Sequence, residues 1–215
     1  MSAITSTSSA YPASLNIDYP DKPLNRLTSF FRIFAVIPIA IILGLLAGAS
    51  FDWSESAAQG WRMAAAGSGI TSLPLVLMIL FRKKYPKWWY DWNLALTKFS
   101  FRVSSYIFLL RDEYPSTNEE QAVHVDFPYP DTQKLARGLP LVKWFLAIPH
   151  YVVLGFLMIA FLFCAFINWW AILFTGRNIK GFFDFMVGFF RWCLRVEAYA
   201  FLLITDKYPP FSLEG

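Results

Sequence analysis

The chain has 215 residues, of which 56% are hydrophobic, 19% aromatic and only 16% charged. A soluble domain carries about a quarter charged residues, so the composition favours a membrane protein; the alternative is a soluble protein with an unusually aromatic core. The formal net charge of +4 does not indicate a nucleic-acid partner and favours membrane phospholipid as the acidic partner.

The first segment, residues 1–12, is rich in Ser, Thr and Ala and carries no charged side chain. A cleaved signal peptide needs a basic start and an apolar stretch of about 7–15 residues, and this segment has neither. We expect residues 1–12 to form a disordered tail, so that internal segments drive membrane insertion.

Two short segments alternate apolar and polar residues, which is the pattern of a half-buried strand. They are Ala13–Asp18 and Ala122–Phe127, and each is followed by a Tyr-Pro turn. We expect two short β-strands that pair on the cytoplasmic side.

The first membrane segment, residues 30–81, is predicted to be a helical hairpin. Phe30–Ala49 and Gly60–Phe81 are apolar and flank the polar Ser50–Gln59, and each is long enough to cross a bilayer at about 20 residues. A basic cluster follows at Arg82–Lys87. Basic loops stay in the cytoplasm, so we expect both ends of the hairpin and both chain termini there.

The second membrane segment, residues 144–174, contains no charged side chain. As one helix it would be about 46 Å long, which exceeds a hydrocarbon core of about 30 Å but is too short for two full spans. A single tilted helix would place Arg177 outside, opposite its counterpart Lys84. We therefore expect a short hairpin that turns near Leu162–Phe166 and either thins the bilayer or dips in without crossing it fully.

Each membrane segment is followed by an amphipathic stretch, over residues 88–110 and 181–204. Three charged residues share one helical face in each stretch: Asp91, Lys98 and Arg102 in the first, and Asp184, Arg191 and Arg195 in the second. Burying such charges near the bilayer centre costs about 2.5–3.5 kcal/mol each. We expect both helices to lie in the interface, with the aromatic residues of the second in the headgroup boundary. The alternative is a spanning helix whose charges pair inside a bundle.

The two halves of the chain repeat one pattern. Tyr19-Pro20-Asp21 recurs as Tyr129-Pro130-Asp131, and each is followed by a basic stretch and a long apolar run. Self-similarity on this scale indicates a tandem duplication, with repeat 1 at residues 13–115, a polar linker at 116–121 and repeat 2 at 122–215. We expect parallel repeats, related by an axis along the membrane normal.

The predicted fold class is therefore an all-α membrane protein of two tandem repeats. Each repeat is a membrane helical hairpin followed by an interfacial amphipathic helix, and a short cytoplasmic β-strand precedes each hairpin.

The basic residues of the two repeats are the candidate binding residues, for an anionic lipid headgroup or for the acidic groups of a partner protein. They are Lys84, Lys98 and Arg102 in repeat 1, and Arg177, Arg191 and Arg195 in repeat 2. Clustered basic residues attract anionic lipid at about 1 kcal/mol each. The alternative is a solvated face in which an Asp–Arg pair forms within each helix.

No catalytic residue, cofactor or metal site is predicted. The sequence has no P-loop, dinucleotide fingerprint, His-Glu-x-x-His or Gly-x-Ser-x-Gly motif. Cys164 and Cys193 lie within apolar runs and are interpreted as small buried residues. His150 is interpreted as a satisfied interfacial histidine rather than a ligand or a base.

Several motifs resemble an uncharacterised family of bacterial integral membrane proteins that is catalogued as a domain of unknown function. They are Tyr19–Arg26, Phe30–Arg32, Ala147–His150, Ala171–Arg177, Phe183–Phe185 and Tyr208–Leu213. The resemblance covers nearly the whole chain from Tyr11 onward, although the first repeat departs from the pattern and has a longer external loop. The family has no established activity, so the resemblance implies an architecture and nothing catalytic.

Three function classes remain open. The first is a non-catalytic accessory or scaffold subunit of a larger complex in the bacterial inner membrane, bound to a protein partner. The second is a lipid-binding or membrane-shaping protein that uses the duplicated basic helices. The third is a small transporter or enzyme at the repeat interface, for which Asn168 is the only obvious polar group at mid-depth.

Overall fold

The computed structural model describes residues 11–46, 75–117, 119–133, 135–136 and 138–214. This part of the chain is mostly helical and has one small sheet, as the sequence predicts. In chain order the elements are β1 (Ser14–Ile17), α1 (Arg26–Leu46), a π-helical turn α2 (Met78–Arg82), α3 (Lys87–Ile107), β2 (Val123–Asp126), α4 (Leu139–Leu146), α5 (Ile148–Thr175) and α6 (Lys180–Ala200).

The two predicted strands are confirmed and form an antiparallel ribbon. Leu15 lies opposite Val125 and Ile17 opposite Val123, and these four apolar side chains are buried, while the polar residues between them face outward. β1 contacts α6 and β2 contacts α3. The period of two in the sequence therefore gives each strand one face for the protein and one for solvent.

Helix α1 begins behind a capping residue and bends in its first half. The Asn25 side-chain oxygen accepts hydrogen bonds from the amides of Leu27 and Thr28, which satisfies groups that a helix start leaves free. The parts Arg26–Arg32 and Phe34–Gly44 meet at 50°. Pro38 lies inside the helix, and because a proline ring clashes with the carbonyl four residues earlier, it accounts for a bend near Phe34.

The turn of the first predicted hairpin, and with it the polar segment Ser50–Gln59, lies outside the described residues. The description resumes at Leu75, in a helical segment that continues into α2. Lys83 ends this segment in the left-handed region, with φ 46°. The prediction of a hairpin over residues 30–81 therefore stays a prediction.

The predicted hairpin at residues 144–174 is wrong, because α5 continues unbroken through Leu162–Phe166, where the turn was expected. That segment contains no Gly, Pro, Asn or Asp to favour a turn. The helix instead ends at Gly176, whose φ of 74° suits glycine. With α4, α5 forms the described helix that is long and apolar enough to cross a membrane, Leu139–Thr175, with a mean hydropathy of 2.4 over an 18-residue stretch. α1 passes the same test only if its two parts count as one span.

Helix α6 is the central helix of the core. Its aromatic residues Phe183, Phe189, Phe190 and Trp192 are buried. The expectation that they lie in the headgroup boundary is therefore wrong: they pack against other parts of this protein. Phe190, for example, meets Phe101 of α3 with ring centroids 5.7 Å apart.

α6 is antiparallel to α4 and α5 and accompanies them along their length. Residues later in α4 and α5 contact residues earlier along α6. Trp144 Nε1 donates to Ala200 O at 2.6 Å, and Trp192 Nε1 donates to His150 Nδ1 at 3.0 Å. Further along α5, the rings of Phe161 and Phe189 are 4.9 Å apart, and Ile179 N donates to Asn168 Oδ1 at 3.0 Å.

The opposite side of α5 is apolar and exposed along its whole length. Its residues recur at helical spacing: Val152, Phe156, Ile159, Phe163, Phe166, Trp170 and Phe174. α1 contacts α5 and adds Leu27, Phe30, Phe34, Ile37 and Ile41, which are also exposed. We call these residues together the α1/α5 apolar face.

The elements stack in three layers. α1 and α5 form the outer layer, α3 and α6 the middle layer, and the ribbon the third, because α1 contacts α3, α5 contacts α6, and both middle helices contact the ribbon. The apolar face and the polar ribbon therefore lie on opposite sides of the molecule.

Candidate functional site

The candidate residues Arg102 and Arg195 hold the chain that follows their own helices. Arg102 Nη1 donates to Ser116 O at 2.7 Å. Arg195 donates from Nη1 to Ser212 O at 3.2 Å and from Nη2 to Glu214 O. Arg195 is only 3% exposed, and burial lowers its pKa. The described acceptors of both guanidinium groups are main-chain oxygens of this chain.

The candidates Arg191 and Lys98 face the ribbon. Arg191 Nε donates to Leu15 O at 2.8 Å and its Nη2 to Asn16 Oδ1 at 3.2 Å, so this side chain joins α6 to β1. Lys98 and Arg102 line a cleft of about 330 Å³ beside the strands. Its two cations are balanced by two carboxylates, which belong to Glu120 and Asp126.

The candidate Arg177 is exposed at the end of α5. It lines a second cleft of about 300 Å³, the α5-end cleft, whose other lining residues are Tyr19, Pro20, Asp21, Lys22, Leu24 and Asn178. Two hydrogen bonds hold the walls together: Tyr19 Oη donates to Asn178 O at 2.6 Å, and Leu24 N donates to Gly176 O at 2.8 Å.

The candidate Lys84 is exposed in the segment that follows α2. The six predicted residues are therefore distributed over several places rather than gathered in one site. The structure brings Lys98 and Arg102 to one cleft, places Arg177 at another, and uses Arg191 and Arg195 to join segments of the chain.

A buried cation that was not among the candidates lies near the start of α1. Arg32 is 3% exposed and forms an ion pair with Asp112. Its Nη1 donates to Tyr106 O at 3.0 Å and to Arg111 O at 2.9 Å, and its guanidinium carbon lies 4.3 Å from the centre of the Tyr106 ring. We call this group the first clamp.

A second buried cation has the same kinds of partner. Lys143 of α4 is 0% exposed, and its Nζ lies 2.8 Å from Asp206 Oδ1. The ammonium also donates to Thr205 O at 2.7 Å and lies 5.1 Å from the centre of the Tyr199 ring. In this second clamp, as in the first, the cation contacts a tyrosine ring, an aspartate and the carbonyl of the residue before that aspartate.

Sequence reasoning missed both clamps, although signals for them were present. A cation stands near the start of each apolar run, at Arg32 and Lys143, and an aspartate precedes each Tyr-Pro pair at the end of a half. Removing one partner of a buried ion pair leaves an uncompensated charge. The clamps therefore fix the start of each apolar segment to the end of its own half.

His150 is fully buried at the start of α5. Its Nδ1 accepts a hydrogen bond from Trp192 Nε1 at 3.0 Å, and its ring stacks on Phe211 with centroids 4.0 Å apart. Because Nδ1 accepts, the neutral ring carries its hydrogen on Nε2, which has no partner among the described residues. His150 was expected to have its hydrogen-bonding groups paired, but among the described residues only its Nδ1 has a partner.

The cysteines are free and half-buried. Burial raises the pKa of the Cys193 thiol to about 12, so this thiol stays protonated near neutral pH. Among the described residues, no group of three or more His, Cys, Asp or Glu is placed to hold a metal ion.

Comparison with known proteins supports the resemblance over part of the second half of the chain. No curated protein and no solved structure matches this chain. A family model does match the part of the second half that runs from α4 through α6 to the final Tyr-Pro segment, and its family is uncharacterised, as the resemblance predicted. Residues 140–212 match the family described as a domain of unknown function, DUF4389.

Proposed function

We propose that this protein is a non-catalytic integral membrane protein of the bacterial inner membrane that acts as an accessory or scaffold subunit of a larger membrane complex. The α1/α5 apolar face carries the proposal. Soluble monomers rarely expose contiguous apolar patches larger than about 300–600 Å², whereas this face extends along a helix of 28 residues. In the most apolar stretch of that helix only 11% of the residues are buried, which favours lipid or a membrane partner as its surroundings.

The setting of Asn168 favours a scaffold over a transporter. This residue is buried in α5, where its Nδ2 donates to Asn178 Oδ1 at 2.5 Å and its Oδ1 accepts from Ile179 N at 3.0 Å. The amide is thus engaged in holding the turn between α5 and α6. A transported solute would have to displace these bonds.

We infer that the two halves are tandem parallel repeats related by a two-fold axis. The two clamps support this, since each uses equivalent residues of its own half. Leu15 lies opposite its sequence equivalent Val125 in the ribbon, an arrangement that a two-fold axis through an antiparallel pair produces. Tyr19 donates to Asn178 O, and its equivalent Tyr129 donates to Tyr85 O.

We propose a cytoplasmic position for both termini. Tyr11 Oη donates to Lys207 O at 3.1 Å, so the two ends of the described chain lie together. In intact cells, an impermeant thiol reagent should leave Ser116→Cys unlabelled, and it should label the same residue once the cells have been opened. Labelling in intact cells would contradict the proposed orientation.

A second candidate function, binding of anionic phospholipid, is favoured by the α5-end cleft. Lys22 and Arg177 line it, and neither makes an ion pair among the described residues. Exposed apolar side chains at the adjoining helix ends, Leu27 and Phe174, belong to the α1/α5 apolar face. A phospholipid offers a phosphate for the two cations and acyl chains for the two apolar side chains.

Purification from the native membrane in mild detergent separates the two candidates. A partner protein at fixed stoichiometry supports the scaffold function, while a lone protein that retains a defined anionic phospholipid supports the second. If the protein retains a defined lipid, Lys22→Gln/Arg177→Gln should lose that lipid. The matched control Lys98→Gln, which removes a cation from the cleft beside the strands, should keep it. A lone protein without defined lipid would contradict both candidates.

A further inference from the structure

We propose that the α1/α5 apolar face is immersed in one leaflet, with α5 parallel to the membrane plane, so that α5 does not cross the bilayer. This inference deepens the proposed membrane function and rests on it. The occupant of the apolar face is then the acyl-chain region of a single leaflet.

The partner helix of α5 gives the first argument. α6 accompanies α5 from Asn168 and Ile179 at one end to His150 and Trp192 towards the other. If α5 stood upright across the bilayer, α6 would therefore stand upright beside it at every depth.

The ribbon gives the second argument. It is joined to the middle of α6 by the bond from Arg191 Nε to Leu15 O, at 2.8 Å. An upright α6 would hold the ribbon at mid-depth, together with the exposed pair formed by His124 and Asp18, whose side chains are 60% and 53% exposed. A two-stranded ribbon has open edges, and hydrocarbon tolerates only helices and closed barrels because their backbone groups are paired internally. Charged side chains at that depth are unfavourable as well.

With α5 in the membrane plane, neither α6 nor the ribbon has to lie inside the hydrocarbon core. The three layers then stack along the membrane normal, with α1 and α5 in the leaflet, α3 and α6 above them, and the ribbon in water. Helix α5 is about 42 Å long, which exceeds the roughly 30 Å of a hydrocarbon core but meets no limit when it lies in the plane. One helix diameter of about 10 Å matches the 5–10 Å to which interfacial helices are buried.

The exposed cations agree with this orientation. Lys22, Arg26 and Arg177 are exposed where the start of α1 meets the end of α5. These side chains lie at the edge of the apolar face, where an in-plane protein places them among the headgroups.

The test measures the depth of four single cysteines along the exposed side of α5. The full chain with Cys164→Ala/Cys193→Ala receives Val152→Cys, Ile159→Cys, Phe166→Cys or Phe174→Cys, and each variant is spin-labelled and bound to vesicles of phosphatidylcholine and phosphatidylglycerol. Depth is read from collision with oxygen and with a water-soluble nickel chelate.

We expect all four labels at one depth, within about 5 Å, because an in-plane helix keeps one face at one level. The outer two positions are about 33 Å apart along the helix. An upright helix would place them at opposite interfaces, with the middle labels about 11 Å deeper. That graded profile would overturn the inference and leave the membrane function standing.

A control label on the ribbon, at His124→Cys, completes the design. The in-plane orientation places it in water, open to an impermeant reagent from one side of the vesicle, and a lipid-buried label there would overturn the inference. If the protein does not float with vesicles at all, the proposed membrane function fails. If it floats while the four α5 labels are shielded from both collision partners, protein rather than lipid covers the face, which also overturns the inference.

Discussion

Replacing Asp206 by alanine tests the second clamp most sharply. The Lys143 ammonium is 0% exposed, and Asp206 is its only acidic partner among the described residues. In Asp206→Ala the ammonium keeps the Thr205 carbonyl at 2.7 Å and the Tyr199 ring at 5.1 Å, but its charge is no longer compensated.

The expected loss follows from the burial of the cation. Breaking a buried pair by removing one partner costs about 3–5 kcal/mol, a large share of a total stability of about 5–15 kcal/mol. For a chain of this size each kcal/mol lowers the melting temperature by about 2–4 °C, so we expect a decrease of roughly 6–20 °C.

The assay is thermal unfolding in detergent, followed by tryptophan fluorescence. Asp184→Ala is the matched control, since it removes an exposed acid that has no ion pair among the described residues. We also expect Lys143→Met/Asp206→Ala to be more stable than Asp206→Ala, because it removes the unpaired charge as well. If Asp206→Ala melts no lower than the control, the clamp does not support the fold and the reasoning is wrong.

Two further predictions concern α6. Burial raises the pKa of Glu197 from 4.5 to about 7, so the stability that the protonated carboxyl contributes is complete below pH 4.5 and is lost as the pH rises through 7. In Glu197→Gln the melting temperature should therefore decline less over that pH range than in wild type. An equal decline in both proteins would contradict this. At Gly188 a Cβ atom would lie 2.9 Å from the carbonyl oxygen of Leu213, whereas at Gly181 it would meet nothing within 4 Å. Gly188→Ala should therefore displace the C-terminal segment that Arg195 holds and speed its proteolysis, while Gly181→Ala should not; equal protection in both variants would refute the close contact.

The sequence predicted the ribbon well, because a period of two can be recognised within a few residues. Ala13–Asp18 and Ala122–Phe127 each carry a full alternation, and the paired strands lie within them. Local patterns of this kind need no knowledge of distant contacts.

The surroundings of the helices could not be predicted in the same way. Apolar spacing in residues 181–204 predicts an amphipathic helix, and α6 lies there, but a buried aromatic residue looks the same in sequence whether lipid or protein covers it. The break of α5 at Leu162–Phe166 was inferred from charge distribution and repeat symmetry alone. No turn residue supported it, and the helix continues.

The clamps were missed because their partners are distant in sequence. Arg32 and Asp112 belong to opposite ends of the first half, and Lys143 and Asp206 to opposite ends of the second. Only folding brings each cation to its tyrosine, so a single sequence offers the recurring residues without their pairing.

The most direct test of the membrane assignment is the behaviour of the native protein in cell fractions. Membranes are washed with sodium carbonate at alkaline pH, which removes proteins held by charge alone, and then extracted with detergent. We expect the protein to stay in the carbonate-washed pellet and to become soluble only with detergent, because the α1/α5 apolar face is immersed in lipid. Recovery of the folded protein in the high-speed supernatant without detergent would contradict the central claim.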